Sequence, residues 1–151
     1  MAFAPNQDAV NGTQNFTMFG LRRKELVKVV YSFDQEELVM SQNVTIFENE
    51  KFNGTRMKIE VTDEFVIISN SDGAEPGISF FNHSMSLVQF FNRSALFEAP
   101  YNLEVYRDPI LELLQVFVAG PNTISIIEEA RSIDGESFFN TLEDVFVSTD
   151  P

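Results

Sequence analysis

Residues 78–97 read ISFFNHSMSLVQFFNRSALF and contain both the densest run of aromatic residues in the chain and its only internal repeat. The motif FFNHS at 80–84 recurs ten residues later as FFNRS at 90–94. Each aromatic ring removes about 150–250 Å² of surface from water when it is buried. The four phenylalanines of the repeat therefore predict a core or an interface in this part of the chain.

The first half of this stretch has the pattern of a half-buried strand. Phe81, His83 and Met85 alternate with polar residues, which is the two-residue period of a strand, so we predict a strand over 78–86. From Leu87 onward, apolar residues at 87, 91 and 95 also share a helical stripe. Strand and helix therefore both remain open for 87–97.

The segments before residue 78 have the composition of antiparallel strands. β-Branched and aromatic residues dominate 25–33, and a continuous apolar run at 65–68 precedes turn signals at 70–77. Together with 44–61 and 78–86, these segments predict an antiparallel meander over 25–86.

The register of the predicted hairpin at 44–61 follows from its charges. Apolar and charged residues alternate after the turn signal Asn53-Gly54, and a two-residue turn would place glutamates on the apolar face. A three-residue loop instead pairs Phe47 with Ile59 and leaves Gly54 in left-handed backbone as a bulge. We therefore predict the bulged hairpin.

The later part of the chain contains helix signals. Asp108-Pro109 resembles a helix start and Gly120-Pro121 a helix stop, with apolar residues on one face at 110, 113, 114 and 117. A second helix is predicted over 137–147, with Ser137 as its cap and inward-facing apolar residues Phe138, Leu142, Val145 and Phe146. The segment 124–131 fits either type. The predicted fold class is α+β: an antiparallel β meander or barrel-like sheet with an extended N-terminal arm and one or two C-terminal helices.

Length and composition indicate one domain. A chain of 151 residues with 44% hydrophobic content is long enough for one core, so we predict an extended arm over 1–22 and a single domain over 23–151. The sequence has no cysteine, which excludes disulfides and thiolate chemistry. It has no run of about twenty apolar residues and no signal-peptide pattern at its start, so we expect a soluble protein without membrane association.

The net charge of −13 is concentrated in the later part of the chain. Residues 1–58 contain seven basic and seven acidic side chains, whereas 59–151 contain three basic and sixteen acidic ones. A surface so negative repels phosphate, so we expect no tight binding of nucleic acid. The basic cluster between Arg22 and Lys28 is suited to an acidic surface on another copy. The alternative is a solvated acidic face that only maintains solubility.

The sequence contains no strong catalytic or cofactor motif. A hydrolytic triad would have to use His83, the only histidine, which lies among apolar residues and fits a structural role better. Adjacent carboxylates occur at 36–37, 63–64, 128–129 and 143–144. Neighbouring side chains of a strand point to opposite faces, so such pairs do not converge on one metal ion. We therefore expect no enzyme activity, no cofactor and no metal.

The hypothesis that fits these features is a non-enzymatic structural subunit that acts by self-assembly, as a capsid decoration, tail or neck component of a virus or phage particle. Its partners would be copies of itself and other structural proteins of the same assembly, in the virion or the host cytoplasm. The alternative is a monomeric acidic binding module or inhibitor that occupies a basic site on a partner protein. The predicted assembly residues are those of the N-terminal segment: Phe3, Phe16, Phe19, Arg22, Arg23 and Lys24.

Overall fold

The described part of the protein is built from β-strands. The computed structural model describes residues 2–3, 13–22, 24–48, 54, 56–72, 75–92, 102–120, 123–141 and 145–146, and every regular element in these ranges is a β-strand. The thirteen strands are β1 (Ala2–Phe3), β2 (Thr13–Arg22), β3 (Glu25–Asp34), β4 (Val39–Glu48), β5 (Met57–Val61), β6 (Phe65–Asn70), β7 (Gly77–Asn82), β8 (Leu87–Asn92), β9 (Asn102–Arg107), β10 (Leu114–Ala119), β11 (Thr123–Arg131), β12 (Ser137–Thr141) and β13 (Val145–Phe146).

The strands form three antiparallel sheets, and each sheet uses a consecutive part of the chain. The first sheet has the order β1-β2-β3-β4 and the second has the order β5-β6-β7-β8. The third has the order β12-β11-β10-β9, and β13 also pairs with β11. Apart from β13, strands that follow each other in sequence within a sheet are therefore neighbours in space.

The second sheet lies between the other two, and its strand β6 is therefore buried on both faces. All six residues of β6 are buried. Phe65 and Ile67 belong to a core shared with the third sheet, whereas Val66 and Ile68 belong to a core shared with the first sheet. This explains the continuous apolar run at 65–68, because alternating polar residues would have to enter one of the two cores.

The repeated phenylalanines supply the centre of the larger core. The ring of Phe80 stacks on that of Phe139 at a centroid distance of 4.0 Å and meets the ring of Phe91 edge-on at 5.9 Å. Phe80 and Phe91 come from the two copies of the repeat, on the paired strands β7 and β8. Phe81 has the opposite orientation and lies in the core beneath the first sheet. The repeat thus contributes to both cores.

The prediction of an α+β fold with C-terminal helices is wrong, since the described residues form thirteen strands and no helix. The segment predicted as the first helix contains β10, whose buried residues Leu114, Val116 and Val118 have a two-residue period. Ile110, part of the predicted helical face, is 86% exposed. Pairing of β10 with β9 and β11 satisfies its backbone and buries its alternate side chains, and this outweighs the local helical pattern. None of the described segments is a helix suited to crossing a bilayer.

The second predicted helix, over 137–147, is also wrong. Residues 137–141 form β12, so the adjacent rings of Phe138 and Phe139 point to opposite faces, with Phe139 buried in the core and Phe138 exposed. The hydroxyl of Ser137 donates a hydrogen bond to Glu129 Oε1 at 2.6 Å, so Ser137 bonds across the sheet to β11. Residues 145–146 form β13, and 142–144 lie outside the described residues.

The predicted hairpin over 44–61 joins strands that belong to different sheets. Phe47 of β4 is opposite Leu26 of β3, and Ile59 of β5 is opposite Ile68 of β6. Gly54 is required here for close approach, because a Cβ at this position would lie 1.9 Å from Asn70 Oδ1 and 2.7 Å from the carbonyl oxygen of Asp72. The predicted pairing of Phe47 with Ile59 is therefore wrong, because β4 pairs with the strand before it and β5 with the strand after it.

The cap predicted at Asp108 forms, although no helix follows it. Asp108 Oδ1 accepts hydrogen bonds from the backbone N–H groups of Ile110 and Leu111, each at 2.8 Å. The turn ends at Glu112, whose φ of 55° is left-handed, and β10 begins two residues later. The capped turn therefore connects two strands of the third sheet.

The hydrogen bonds to Asp108 predict a pH-dependent contribution to stability. The N–H groups of Leu111 and Ile110 lower the pKa of Asp108 below its ordinary value of 3.8. A lowered folded-state pKa means that the contribution is complete above the unfolded-state pKa and is lost as the pH falls through the folded-state pKa. We expect Asp108→Ala to reduce the unfolding midpoint in urea at pH 7.

Wild type and Asp108→Ala should therefore converge as the pH is lowered below 3.8, when Asp108 becomes protonated. Asp108→Asn is the control, because its amide oxygen still accepts hydrogen bonds but does not titrate. A difference between wild type and Asp108→Ala that stays constant from pH 7 to pH 2.5 would contradict the assignment.

Candidate assembly surface

In the described part of the chain, the first sheet shares a core with the second sheet at one end, which we call its base. Leu26 and Phe19 are fully buried there and pack with Phe81 and Met85 of the second sheet. Away from the base, β4 is exposed from Val39 to Ile46. Because adjacent residues of a strand point to opposite faces, exposure of every residue over this range means that both faces of β4 are open among the described residues.

Polar contacts around His83 strengthen the attachment at the base. Lys28 Nζ donates a hydrogen bond to the carbonyl oxygen of His83 at 2.6 Å and lies 5.8 Å from the ring centroid of Phe19. The ring of His83 lies 5.3 Å from that of Phe19, and its Nε2 is 2.9 Å from the carbonyl oxygen of Thr62. A carbonyl only accepts, so Nε2 carries the proton. These contacts give His83 a structural role.

The two faces of the first sheet differ in polarity. Leu26 defines the inner face, which is apolar at the base and then mostly polar, with Thr17, Asn43 and Ser32 along it and Val30 between the first two. The opposite side, which we call the outer face, carries nine apolar side chains at directly opposed positions of the three long strands: Phe16, Met18, Val27, Val29, Tyr31, Phe33, Met40, Val44 and Ile46. A sheet that covers the core of its own protein normally turns its apolar face inward. Here the more apolar face points away from the rest of the protein.

Four of the nine apolar side chains of the outer face are exposed, and the other five are half-buried. Phe16, Val44 and Ile46 are each 47% exposed and Met40 is 64% exposed. The charged residues on this face, Arg22, Glu25 and Glu48, form a single row at the base. A contiguous apolar area without charges, here roughly 400 Å² across the whole face, is typical of an interaction surface.

The predicted assembly residues occupy different environments. Phe16 lies on the outer face, and Phe3 is opposite Met18 in the pairing of β1 with β2. Phe19 is fully buried within the protomer, so it stabilises the base and is not available to a partner. Arg22 forms an ion pair with Glu25 of the same chain, Lys24 forms the turn between β2 and β3 with a φ of 63°, and Arg23 lies outside the described residues.

Most of the outer face was missed from the sequence. The N-terminal segment contributes Phe16 and Met18, but the larger share comes from β3 and β4, which were predicted only as part of a meander. A signal was present in β3, where Val27, Val29, Tyr31 and Phe33 are uniformly apolar while Lys28 and Ser32 interrupt the other face. Alternation identified one apolar face but did not show that this face points away from the rest of the protein.

One buried carboxylate lies outside this surface. Glu129 on β11 is completely buried, and its Oε2 accepts a hydrogen bond from the backbone N–H of Leu114 at 2.9 Å. Its Oε1 accepts from Ser137 and lies 3.9 Å from Nε of Arg131. Both carboxylate oxygens are therefore used within the third sheet. Across the described ranges, no group of three or more His, Asp or Glu side chains could hold a metal ion.

Comparison of the sequence with protein-family models and with curated proteins finds no match. The assignment of a function therefore depends on the geometry of the first sheet.

Proposed function

We propose that this chain is a non-enzymatic structural subunit that acts by self-assembly through its first sheet, as a capsid decoration, tail or neck component of a virus or phage particle. The observation that supports self-assembly is the exposed apolar outer face. The particle class is proposed from the aromatic-dotted N-terminal segment, the excess of phenylalanine and the uneven charge of the chain. Its location would then be the virion or the host cytoplasm.

The dimensions of the outer face give the energy available for association. Four rows of paired residues extend for about 27 Å, and three strands are about 14 Å wide, so the face covers roughly 400 Å². Nine of its twelve positions are apolar side chains, so roughly 300 Å² of it is apolar. At about 25 cal/mol per Å², burial of this apolar area contributes about 7 kcal/mol before the costs of association, which are of similar size. The face alone thus supports weak association, and a stable particle needs further contacts between copies.

The distribution of charge favours association through the first sheet over other surfaces. Residues 13–48 contain four basic and five acidic side chains. On the outer face of β2, β3 and β4, every charged residue lies in the row at the base. The later sheets contain most of the excess negative charge of the chain. Like-charged surfaces repel each other, so copies would meet through the nearly neutral first sheet.

The alternative function, a monomeric acidic binding module, is favoured by the same concentration of negative charge in the later part of the chain. It makes the opposite prediction for native mass. A chain that remains at its monomer mass of 17.2 kDa in light scattering at high concentration would support the binding module.

Replacement of Phe16 should weaken self-association. Burying a phenylalanine contributes about 1.5–3 kcal/mol, and a charge placed in an apolar contact opposes it further, so Phe16→Lys should raise the dissociation constant at least about tenfold. The measurement is native mass by light scattering across a concentration series.

The matched control is Phe138→Lys on β12 of the third sheet. Phe138 is 42% exposed and Phe16 is 47% exposed, so the two substitutions remove similar exposed rings and change the net charge equally. Equal weakening by both variants would show that the outer face has no special role.

A further inference from the structure

The outer edge of β4 is a second feature suited to association. Among the described residues no strand pairs with this edge, since β4 is the last strand of the first sheet. β4 is ten residues long, contains no proline and has one charged residue, Glu48, at its end. Proline, lysine and bulges are the usual means by which proteins prevent pairing at an exposed edge. The β3–β4 register is continuous, so β4 has no bulge, and β4 contains neither proline nor lysine.

Edges of the other two sheets are bridged by side chains. On β8, Gln89 Nε2 donates to the carbonyl oxygen of Phe139 at 2.9 Å, and the N–H of Phe139 donates to Gln89 Oε1 at 3.0 Å. At the opposite side, Lys58 Nζ of β5 donates to Asn102 Oδ1 and, at 3.4 Å, to the carbonyl oxygen of Leu103 in β9. These hydrogen bonds join both edges of the second sheet to the third sheet, whereas no described strand lies against the outer edge of β4.

We propose that β4 pairs antiparallel with β4 of a second copy, around a two-fold axis perpendicular to the sheet. This inference rests on the proposed self-assembly and names its partner and contact. The partner is a second copy because the segment is compatible with itself: its nine residues from Val39 to Phe47 carry no charge that would face a like charge. A two-fold axis brings the same surface of both copies together.

The pairing register follows from the faces of the sheet. The outer faces are continuous only when even-numbered residues of one copy oppose even-numbered residues of the other. Two registers of this type pair nine residues. Centring on Val44 would place Glu48 opposite Met40 on the apolar face. Centring on Asn43 instead places Ile46 opposite Met40 and Phe47 opposite Val39, so apolar residues meet and Glu48 falls outside the paired segment. We therefore assign the register centred on Asn43.

Edge pairing also addresses the small area of a single outer face. Two paired sheets join their outer faces into one largely apolar surface of roughly 800 Å², twice the area of one copy. A typical stable interface buries about 800 Å² on each partner. Pairing through β4 would therefore produce a surface large enough to hold the next pair of copies.

The absence of cysteine allows a direct test with single-cysteine variants of the full chain. Asn43→Cys should form a disulfide-linked dimer under mild oxidation, because residue 43 opposes its own copy at the two-fold axis. Thr45→Cys and Ser41→Cys should each remain monomeric on a non-reducing gel, since each residue is displaced from its own copy by about 14 Å along the strand. A mixture of those two variants should form the mixed dimer, because residues 41 and 45 oppose each other.

Failure of this pairing is distinguishable from failure of self-assembly. Disulfides in all variants alike, or in none while light scattering shows oligomers, would overturn the pairing through β4 and leave self-assembly intact. A mixed dimer of Ser41→Cys and Thr45→Cys supports the register even if Asn43→Cys fails to fold. A protein that is monomeric in light scattering and forms no disulfide would overturn both proposals.

Discussion

Phe80→Ala is expected to reduce the free energy of unfolding by about 3–5 kcal/mol, which is the range for removal of a buried phenylalanine that leaves a cavity. Phe80 is completely buried between the rings of Phe139 and Phe91, so the neighbouring side chains cannot move into the space without losing their own contacts. Equilibrium unfolding in urea, followed by circular dichroism, measures this difference. The result would identify the repeat as the centre of the larger core.

The control for this experiment is Phe138→Ala. Phe138 is adjacent to the stacked ring of Phe139 but points to the other face of β12, where it is 42% exposed. Its removal should cost less than about 1 kcal/mol, as is usual for exposed positions. Similar losses for Phe80→Ala and Phe138→Ala would contradict the assignment of faces in the third sheet.

Glu129→Ala is expected to reduce the free energy of unfolding by about 3 kcal/mol. The substitution leaves the N–H of Leu114 and the hydroxyl of Ser137 without their acceptor, and an unsatisfied buried donor costs about 1–3 kcal/mol. Glu129→Gln should recover part of the loss, because the amide oxygen still accepts one of these hydrogen bonds. Urea unfolding of the three proteins at one pH provides the comparison.

Glu128→Ala is the matched control for Glu129. Glu128 is the adjacent residue on the opposite face of β11, where Gln115 Nε2 donates to its Oε2 at 3.0 Å in a partly buried site. Water can replace that partner, so the loss should stay below about 1 kcal/mol. A greater loss for Glu128→Ala than for Glu129→Ala would show that burial of the carboxylate is not the cause.

The part of the fold that could be predicted from the sequence is the part with unambiguous strand patterns. The segments 25–33, 65–68 and 78–86 correspond to β3, β6 and β7, with a turn in place of the last residues of the third segment. The later strands were missed because their apolar residues fit two periods at once. In β10, Leu114 belongs both to the helical stripe and to the alternating set, and only the pairing with β9 and β11 decides between them.

The turns explain why several strand boundaries had no sequence signal. Five of the described hairpin turns contain a residue in left-handed backbone, where glycine or asparagine is the expected residue. Glycine occupies only one of these positions, Gly135. The other four are Lys24, Leu38, Met85 and Glu112. Tertiary pairing of the flanking strands imposes these conformations, and a rule based on turn residues therefore fails at these places.

The candidate surface was predicted only in part, for a reason of geometry. Contact of the N-terminal aromatic residues with another copy stays a prediction, and of these residues Phe16 lies on the outer face. Phe19 is three residues away and lies in the core, because an odd spacing along a strand reverses the face. Which face is covered depends on the position of the second sheet, and the first forty-eight residues contain no information about it.

Because each sheet is a consecutive segment, the chain can complete its strand pairing in the order of synthesis. Pairing between strands that are close in sequence closes short loops and is rapid. The slower event should be the docking of three paired sheets, in which β6 joins both cores at once. Until β6 and β7 emerge from the ribosome, the base of the first sheet lacks most of its cover, and its outer face and β4 edge are exposed together on nascent chains. Neighbouring chains on one messenger RNA would then meet first through the surface by which we propose that the finished protein assembles.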